Sequence, residues 1–321
     1  MYDAITDVAG IKVGHYTDRE AVTGCTVLLC EQGAVAGVDV SGSAPGTKET
    51  DLLRPGNLVE KVQAIVLSGG SAFGLDSASG VMRYLEERGF GHETSAGRVP
   101  IVPAAIIFDL NIGNPRIRPG ANEGYQACLE ATDAEVAEGC VGAGTGATVG
   151  KILGIERATK SGLGTASQKI ANDIVVAALV VVNAFGDVID AKTGGIIAGP
   201  RQPGKNSFLS TSELLRRGEH GRAVLTFNTI IGVVATNAKL SKVGVNKLAR
   251  AAQTGIARTI VPCHTMYDGD VLFALSLGDK VTDVNTLSTV AAEAVAEAIT
   301  RAVLKAETLA GVPAARDIGT W

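Results

Sequence analysis

The dipeptide Asn228-Thr229 heads an apolar run rich in β-branched residues, 230–236, so a hydroxyl directly follows an amide bond at the start of a strand-like segment. A Thr hydroxyl in this position can attack the preceding carbonyl and break the peptide bond. Thr229 would then begin a new chain that carries a nucleophilic hydroxyl and a free α-amine. Such an amine titrates near ~8, against about 10 for a Lys side chain, so it can act as a general base near neutral pH. Local sequence alone favours a plainer interpretation, a loop Asn that enters an ordinary strand.

The elements that must position this pair follow from hydrophobic periodicity. Continuous apolar runs predict strands that are covered on both faces, at Thr26–Cys30, Ala64–Ser68, Val99–Ile107, Val175–Asn183, Asp187–Asp190, Ile231–Thr236 and Val271–Leu277. Helical spacing predicts helices at Gly74–Arg88, Asn122–Ala131, Ser241–Arg258 and Val284–Ala306. Strands and helices do not alternate strictly, which favours an α+β fold with helices packed on stacked, partly antiparallel sheets over a doubly wound parallel sheet.

Composition excludes several classes of function. The 321 residues are 46% hydrophobic and 19% charged, as expected for a folded globular protein. The net charge of −4 and the scattered Lys and Arg residues give no nucleic-acid-binding surface. The N-terminus lacks a signal-peptide pattern, and no apolar run is long enough to span a membrane. Five Cys residues without CxxC spacing indicate reduced thiols and a cytoplasmic location.

Three Gly-rich segments could be mistaken for ligand loops. The segment Ser68–Asp76 follows an apolar strand and opens a helix, but it lacks GxGxxG, so a tight crossover turn is the expected structure. The segment Gly144–Lys151 departs from the phosphate-loop pattern at Thr145 and Ile152. The segment Ser161–Ser167 is expected to be a flexible surface loop. No cofactor is therefore predicted.

Taken together, these segments resemble the self-processing family of L-aminopeptidase/D-alanine esterase-amidases. That family includes β-peptidyl aminopeptidases and the endo-type hydrolase of 6-aminohexanoate oligomers. The resemblance extends from Ile5–His15 nearly to the C-terminus, and Ala44–Leu53 and Ser68–Asp76 look like its signatures. It implies a four-layer αββα sandwich, like that of N-terminal-nucleophile hydrolases but differently connected.

The resemblance also assigns roles to individual residues. It implies that a single domain, 1–321, cuts itself before the nucleophile Thr229 into 1–228 and 229–321, and that the two chains stay together in a homotetramer. Asn183 would donate to the oxyanion, and Lys151 would keep a positive charge near the amine. Asp268 and Asp270 match a family pair, and in an extended segment both side chains share one face and can orient the amine and Lys151. A metal site or a solvated turn remains an alternative for this Asp pair.

Two positions depart from the family. Phe108 stands where Tyr is usual, so any role of that hydroxyl is lost. Ile106 stands where aminopeptidase members carry a Glu that holds the substrate ammonium. In the nylon-oligomer branch this position is also apolar. Because an apolar residue penalises the burial of an ammonium, we expect Phe108 and Ile106 to form a substrate pocket that prefers an acyl group with an uncharged or distant amine.

Three functions remain open at this point. The first is a self-processing hydrolase of peptides or other small amides. The second is a self-cleaving acyltransferase, in which an amine rather than water takes the acyl group. The third is a non-catalytic ligand-binding protein that kept the fold.

Overall fold

A computed structural model describes residues 1–219 and 227–318. Both predicted product chains include some residues outside these ranges. The described strands are β1 Lys12–Asp18, β2 Thr23–Val40, β3 Thr47–Lys48, β4 Lys61–Ser68, β5 His92–Thr94, β6 Gly97–Val99, β7 Ala104–Ile106, β8 Thr148–Val149, β9 Thr159–Lys160, β10 Leu163–Ile170, β11 Ile174–Asn183, β12 Asp187–Ile189, β13 Ile196–Ala198, β14 Thr229–Ala238, β15 Ile260–Val261 and β16 Val271–Lys280. The described α-helices are α1 Ser77–Glu87, α2 Ala121–Leu129, α3 Thr211–Arg216, α4 Lys242–Thr259 and α5 Val284–Leu304.

The main sheet has the strand order β10-β11-β14-β16-β2-β4-β7-β3, with β1 also paired to β2. Strand β2 links two halves of this sheet. Its C-terminal part, 35–40, pairs antiparallel with β16, and its N-terminal part, 23–29, pairs antiparallel with β1. The β4 strand pairs with β2 on either side of a register shift between Leu29 and Ala34. These pairings place β10, β11, β14 and β16 in one half and β1, β4, β7 and β3 in the other.

Strand β11 shows why the two halves stack face to face. Successive side chains of a strand point to opposite faces. The side chains of Val176, Ala178, Val180 and Val182 pack in one buried cluster with residues of α4 and α5. The alternate side chains, from Val175 to Val181, pack in a second cluster with residues of β2 and β4. Both faces of β11 are therefore buried, as its continuous apolar run predicted.

The second half of the sheet is also covered on its outer face. The side chains of Val27, Leu29, Ala64 and Val66 form a third cluster with residues of α1 and α2. The order of layers is thus helices, sheet, sheet, helices. This confirms the predicted α+β fold with four αββα layers.

The predicted helices differ from the observed ones by a few residues at their ends. Helices α4 and α5 begin where side chains cap free N–H groups: Ser241 accepts from Gly244 N, and Asp283 accepts from Thr286 N. The prediction for α1 began too early, because 71–76 form a 3-10 turn before it. Among the residues that the structure describes, no helix combines the length and apolar character needed to cross a membrane.

Two sequence predictions were wrong. The single strand expected over Val99–Ile107 is two strands, because Pro100 and Pro103 interrupt it and proline has no N–H for a sheet ladder. The segment expected to be a flexible loop, Ser161–Ser167, is buried at Ser161 and continues as β10 from Leu163. Its glycines serve packing instead: a Cβ on Gly164 would lie 2.1 Å from the Ala298 carbonyl oxygen of α5.

Candidate active site

Thr229 is the first residue of β14 and lies directly opposite Asn183, the last residue of β11. Both are buried, with Thr229 2% exposed. Its position is set by this pairing with β11, and β14 also pairs with β16 from Ile231 onward. The predicted nucleophile and the predicted oxyanion donor are therefore neighbours.

The peptide bond predicted to be cut is held by its own surroundings. The Asn228 carbonyl oxygen accepts a hydrogen bond from Gly269 N at 2.8 Å and another from the Thr229 hydroxyl. The Asn228 N–H donates to the Tyr267 carbonyl oxygen at 2.9 Å. The hydroxyl thus lies against the bond before it, and the Gly269 amide is aimed at the oxygen on which negative charge would develop during attack.

Lys151 reaches this site because of the backbone geometry at Gly150. Gly150 has φ +68°, and a Cβ there would lie 2.3 Å from the carbonyl carbon of Gly199, so only glycine fits. The turn directs the Lys151 side chain inward, where the ammonium donates to three oxygens: Asn183 Oδ1 at 2.7 Å, Asn183 O at 2.9 Å and Thr148 O at 3.0 Å. Three acceptors match the three N–H donors of an ammonium.

The Asn183 side chain is oriented by this network. Its Oδ1 accepts from Lys151 Nζ and from Thr148 N at 3.1 Å. Its Nδ2 donates to the Phe108 carbonyl oxygen at 3.1 Å. Because donors surround one end of the amide, the nitrogen must point away from Lys151, and its bond to Phe108 uses one of its two N–H groups. Lys151 therefore acts on the predicted oxyanion donor directly, which the sequence analysis did not anticipate.

Burial shifts the charge balance of Lys151. Desolvation lowers the pKa of this ammonium to about 7, and the nearby Asp268 carboxylate opposes that shift. The pKa of Asp268 is raised to about 6, first by burial and then by the neighbouring Asp270 charge. Lys151 is thus poised to change charge near neutral pH.

This shift predicts how stability depends on pH. The folded pKa of Lys151, about 7, is below its ordinary value of 10.5. Between these two values the unfolded chain holds a proton that the folded chain has lost, so the free energy of unfolding rises with pH in this window. In the uncut Thr229→Ala background, we expect the change of Lys151 to Met to remove a rise on the order of 2 kcal/mol between pH 7.5 and 9.5. Urea unfolding of both proteins at the two pH values measures it, and equal pH slopes would contradict it.

The Asp pair does not orient Lys151 through hydrogen bonds as the sequence analysis expected. Asp268 accepts from Phe185 N at 3.2 Å and from Thr265 N at 3.0 Å, so it acts on Lys151 only through its charge. Asp270 accepts from Ile230 N at 2.7 Å, one residue beyond the nucleophile. Both carboxylates are buried, which excludes the solvated turn. Through its bond to Ile230, Asp270 positions the strand that carries Thr229.

His264 completes the environment of Asp270. The Asp270 Oδ2 atom lies 2.8 Å from His264 Nδ1 and accepts from His264 N at 3.2 Å. Hydrogen bonds to Asp270 and then to Cys263 raise the pKa of this imidazole to about 10. His264 therefore stays protonated at neutral pH and balances the charge of the buried Asp270.

The change of Asp270 to Asn is expected to lower the pKa of His264 from about 10 toward 6.5, because the carboxylate that holds the proton is gone. NMR titration of the uncut Thr229→Ala protein, with and without the second change, measures this shift. The sequence contains only four His residues, so the signals can be assigned one by one with His→Gln variants. A His264 signal that titrates near 10 in both proteins would contradict the pairing.

The two predicted substrate-binding residues lie at different depths. Phe108 is half-buried, and its ring contacts that of Phe227 with 5.7 Å between centroids. Ile106 is only 5% exposed, at the end of β7, where its side chain packs against Gly46. Of the two, it is Phe108 whose ring contacts Phe227, the second residue before Thr229.

Sequence reasoning missed two buried charged residues near the site. Asp109 accepts from Thr23 Oγ1 and from Gly70 N, both at 2.7 Å, and so anchors both Phe108 and the turn over Ser68–Asp76. That turn is the expected tight crossover. Lys160 is fully buried and donates to the carbonyl oxygens of Ala147 and Ser161 at 2.8 and 2.7 Å. For Asp109, the only signal was a charge at the end of an apolar run.

Metal chemistry was the remaining alternative for the Asp pair. Across residues 1–219 and 227–318, no group of three or more His, Cys, Asp and Glu side chains is placed to hold a metal ion. Each carboxylate oxygen of Asp268 and Asp270 already accepts a hydrogen bond from another group of this chain. The arrangement suits acyl chemistry at a hydroxyl.

Comparison with known proteins finds relatives among peptidases and other amide hydrolases. The family model described as peptidase family S58 matches residues 3–316. An uncharacterized aminopeptidase of Mycobacterium tuberculosis is 42% identical to this chain. The alignment is 346 positions long, gaps included, and covers 98% of each chain. A 6-aminohexanoate-oligomer endohydrolase of Kocuria sp. is 31% identical over 274 residues, 84% of this chain and 74% of its own.

The fold also matches a solved structure, an L-aminopeptidase D-Ala-esterase/amidase from Ochrobactrum anthropi described as a new variant among the Ntn hydrolase fold. The TM-score is 0.72 with 21% identity, over 96% of this chain and 87% of that one. At this identity the similarity bears on the fold alone.

Proposed function

Because the chain belongs to peptidase family S58, and is thus a hydrolase of amide bonds, we propose that it acts through Thr229 as an N-terminal nucleophile that it creates by self-cleavage. The observation that carries this proposal is the position of the Thr229 hydroxyl. It lies against the Asn228 carbonyl oxygen, and that oxygen also accepts from Gly269 N. A nucleophile, a carbonyl and an oxyanion donor thus occupy one site.

Self-cleavage follows as an acyl shift. The Thr229 Oγ attacks the Asn228 carbonyl carbon, and the oxyanion is held by the Gly269 N–H. The bond between that carbon and the Thr229 nitrogen then breaks, and the hydroxyl proton goes to the nitrogen. Water hydrolyses the resulting ester, which gives a carboxylate at Asn228 and a free α-amine at Thr229.

Amide hydrolysis repeats this chemistry on a substrate. The Thr229 α-amine accepts the hydroxyl proton as Oγ attacks, and it returns the proton to the leaving amine. The N–H of Asn183 Nδ2 that faces away from Phe108 is proposed to stabilise the oxyanion. Lys151 holds the Asn183 amide in place and, when protonated, lowers the pKa of the α-amine.

The substrate class follows from the departures at Phe108 and Ile106. The relatives that the chain resembles are named for aminopeptidase and for oligoamide endohydrolase activity. Ile106 is buried and apolar, so it cannot pair with a substrate ammonium. We therefore propose a peptide or oligoamide substrate whose acyl part carries an uncharged or distant amine.

The assembly and location stay predictions. Strand β14 pairs with β11, so the two product chains would remain joined by a full antiparallel ladder. A homotetramer and a cytoplasmic location are implied by the family resemblance and by the Cys count. Sedimentation of the cut protein tests the tetramer.

Intact-mass analysis tests the proposed function. We expect the purified protein to give the masses of 1–228 and 229–321, and to release amines from N-acylated p-nitroanilides. Addition of glutamate with an acetylated amino acid separates hydrolysis from acyl transfer, because a transferase would form acetylglutamate. An uncut chain that hydrolyses these amides would refute the role of Thr229.

A further inference from the structure

Phe227, the second residue before the predicted cleavage site, already makes a defined contact. The Phe227 ring packs on the Phe108 ring at 5.7 Å, with 57° between the ring planes. This tilted arrangement is a favourable geometry for an aromatic pair. The Phe108 end of the contact is fixed, because its carbonyl accepts from Asn183 Nδ2 and Asp109 next to it is anchored at both carboxylate oxygens.

The chemistry of self-cleavage gives this contact a meaning. The ester formed at Thr229 Oγ during self-cleavage carries Asn228 as its acyl group, with Phe227 one residue further away. An amide substrate forms the same ester on the same oxygen, with its own acyl group in place of Asn228. The surroundings of Phe227 and Asn228 in the uncut chain therefore outline the acyl-binding side of the mature enzyme.

We propose that Phe108 forms a subsite for an aromatic or apolar, uncharged group one residue removed from the scissile carbonyl, and that Phe227 fills this subsite in the uncut chain. This inference rests on the proposed function. It names the substrate class: acylated dipeptide-like amides with an apolar side chain at that position.

The surrounding charges support an uncharged occupant. The carboxylates of Asp109, next to Phe108, and of Asp268 and Asp270 accept a hydrogen bond from a group of this chain at each oxygen. The Lys151 ammonium, also close by, would repel a cation. An acyl group that carried an ammonium would therefore be desolvated without gaining a free anionic partner.

The subsite can be vacated after the cut. Phe227 is 55% exposed in the uncut chain, so its ring is held by Phe108 but not enclosed. Hydrolysis breaks the bond between Asn228 and Thr229, so the chain end that carries Phe227 is no longer tied to β14.

Kinetics of the mature enzyme test the subsite. The probes are the p-nitroanilides of acetyl-Phe-Asn, acetyl-Ala-Asn and acetyl-Lys-Asn. The first repeats the pair that precedes Thr229. We expect kcat/KM for the Phe substrate to exceed that for the Ala substrate by tenfold or more, with the Lys substrate at or below Ala.

Variants locate the effect at Phe108. The change of Phe108 to Leu should reduce the Phe:Ala ratio to about threefold or less, whereas Phe108→Tyr, which keeps the ring, should preserve it. A matched control is Phe73→Leu, because Phe73 is an exposed aromatic residue whose ring lies under Arg118 rather than against Phe227. It should leave the ratio unchanged.

The possible failures are distinguishable. A protein that is cut and hydrolyses all three probes at similar rates overturns the subsite but leaves the proposed function standing. An unchanged ratio in a folded Phe108→Leu protein does the same. A protein that is neither cut nor active overturns both. The Phe:Ala ratio of kcat/KM is measured on the wild-type enzyme, so it tests the inference even if Phe108→Leu does not fold.

Discussion

Replacement of Thr229 by Ala is expected to leave the protein as one uncut chain and to abolish amide hydrolysis, with a loss on the order of 10⁴-fold or more. The variant lacks the hydroxyl that lies against the Asn228 carbonyl oxygen, so no ester forms there. Without the cut, the α-amine that serves as general base is never released. One substitution thus removes the nucleophile and the base together.

Two controls make this result specific. Thr229→Ser keeps the hydroxyl, and we expect it to be cut and to retain activity. Thr236→Val changes a second buried threonine of β14, whose hydroxyl donates to Val175 O at 2.9 Å, far along the strand from the site. We expect it to be cut normally. Mass spectrometry reports the cut, and a two-chain Thr229→Ala protein would contradict the assignment.

Replacement of Lys151 by Met is expected to lower the rate of amide hydrolysis by about 10³-fold. The change removes three hydrogen bonds and leaves Asn183 Oδ1 with one donor, so the amide is free to rotate away from the oxyanion position. Loss of one oxyanion donor costs roughly 3–4 kcal/mol in comparable sites. Near pH 7 the free energy of unfolding should change little, because Met also relieves the desolvation of the buried ammonium.

Lys160 supplies the matched control. It is also fully buried and donates to backbone carbonyl oxygens of the same Gly-rich region, but the described hydrogen bonds of its ammonium do not include Asn183. We expect Lys160→Met to retain activity within about tenfold. Cleavage time courses and kcat measure both variants, together with urea unfolding. Equal losses in the two variants would show that Lys151 acts only by filling the core.

Much of the fold could be predicted from periodicity. The run Val175–Asn183 indicated a strand buried on both faces, and β11 has this structure because one face meets α4 and α5 and the other meets β2 and β4. The segment Ser161–Ser167 could not be predicted in this way. Its Gly and Ser residues imitate a loop, whereas Gly164 is small because the backbone of α5 packs against it.

In the candidate site, too, the sequence predicted some features and the packing of the fold decided others. Residue types and order pointed to Thr229, Asn183, Lys151 and the Asp pair, which lie on different elements. The sequence could not show that Lys151 binds Asn183, that Asp270 binds Ile230 N, or that His264 pairs with Asp270. Each of these contacts depends on a turn or a strand register rather than on a local pattern.

By itself, then, the sequence determined the αββα class, the bond predicted to be cut and the set of side chains suited to acyl chemistry. These follow from side-chain chemistry, apolar periodicity and the resemblance in motifs. Only the tertiary structure decided which of these side chains bond to one another and that the Phe227 ring packs against the Phe108 ring. Hydrogen bonds of about 3 Å between residues tens of positions apart depend on sheet register and helix packing, which no short stretch of sequence encodes.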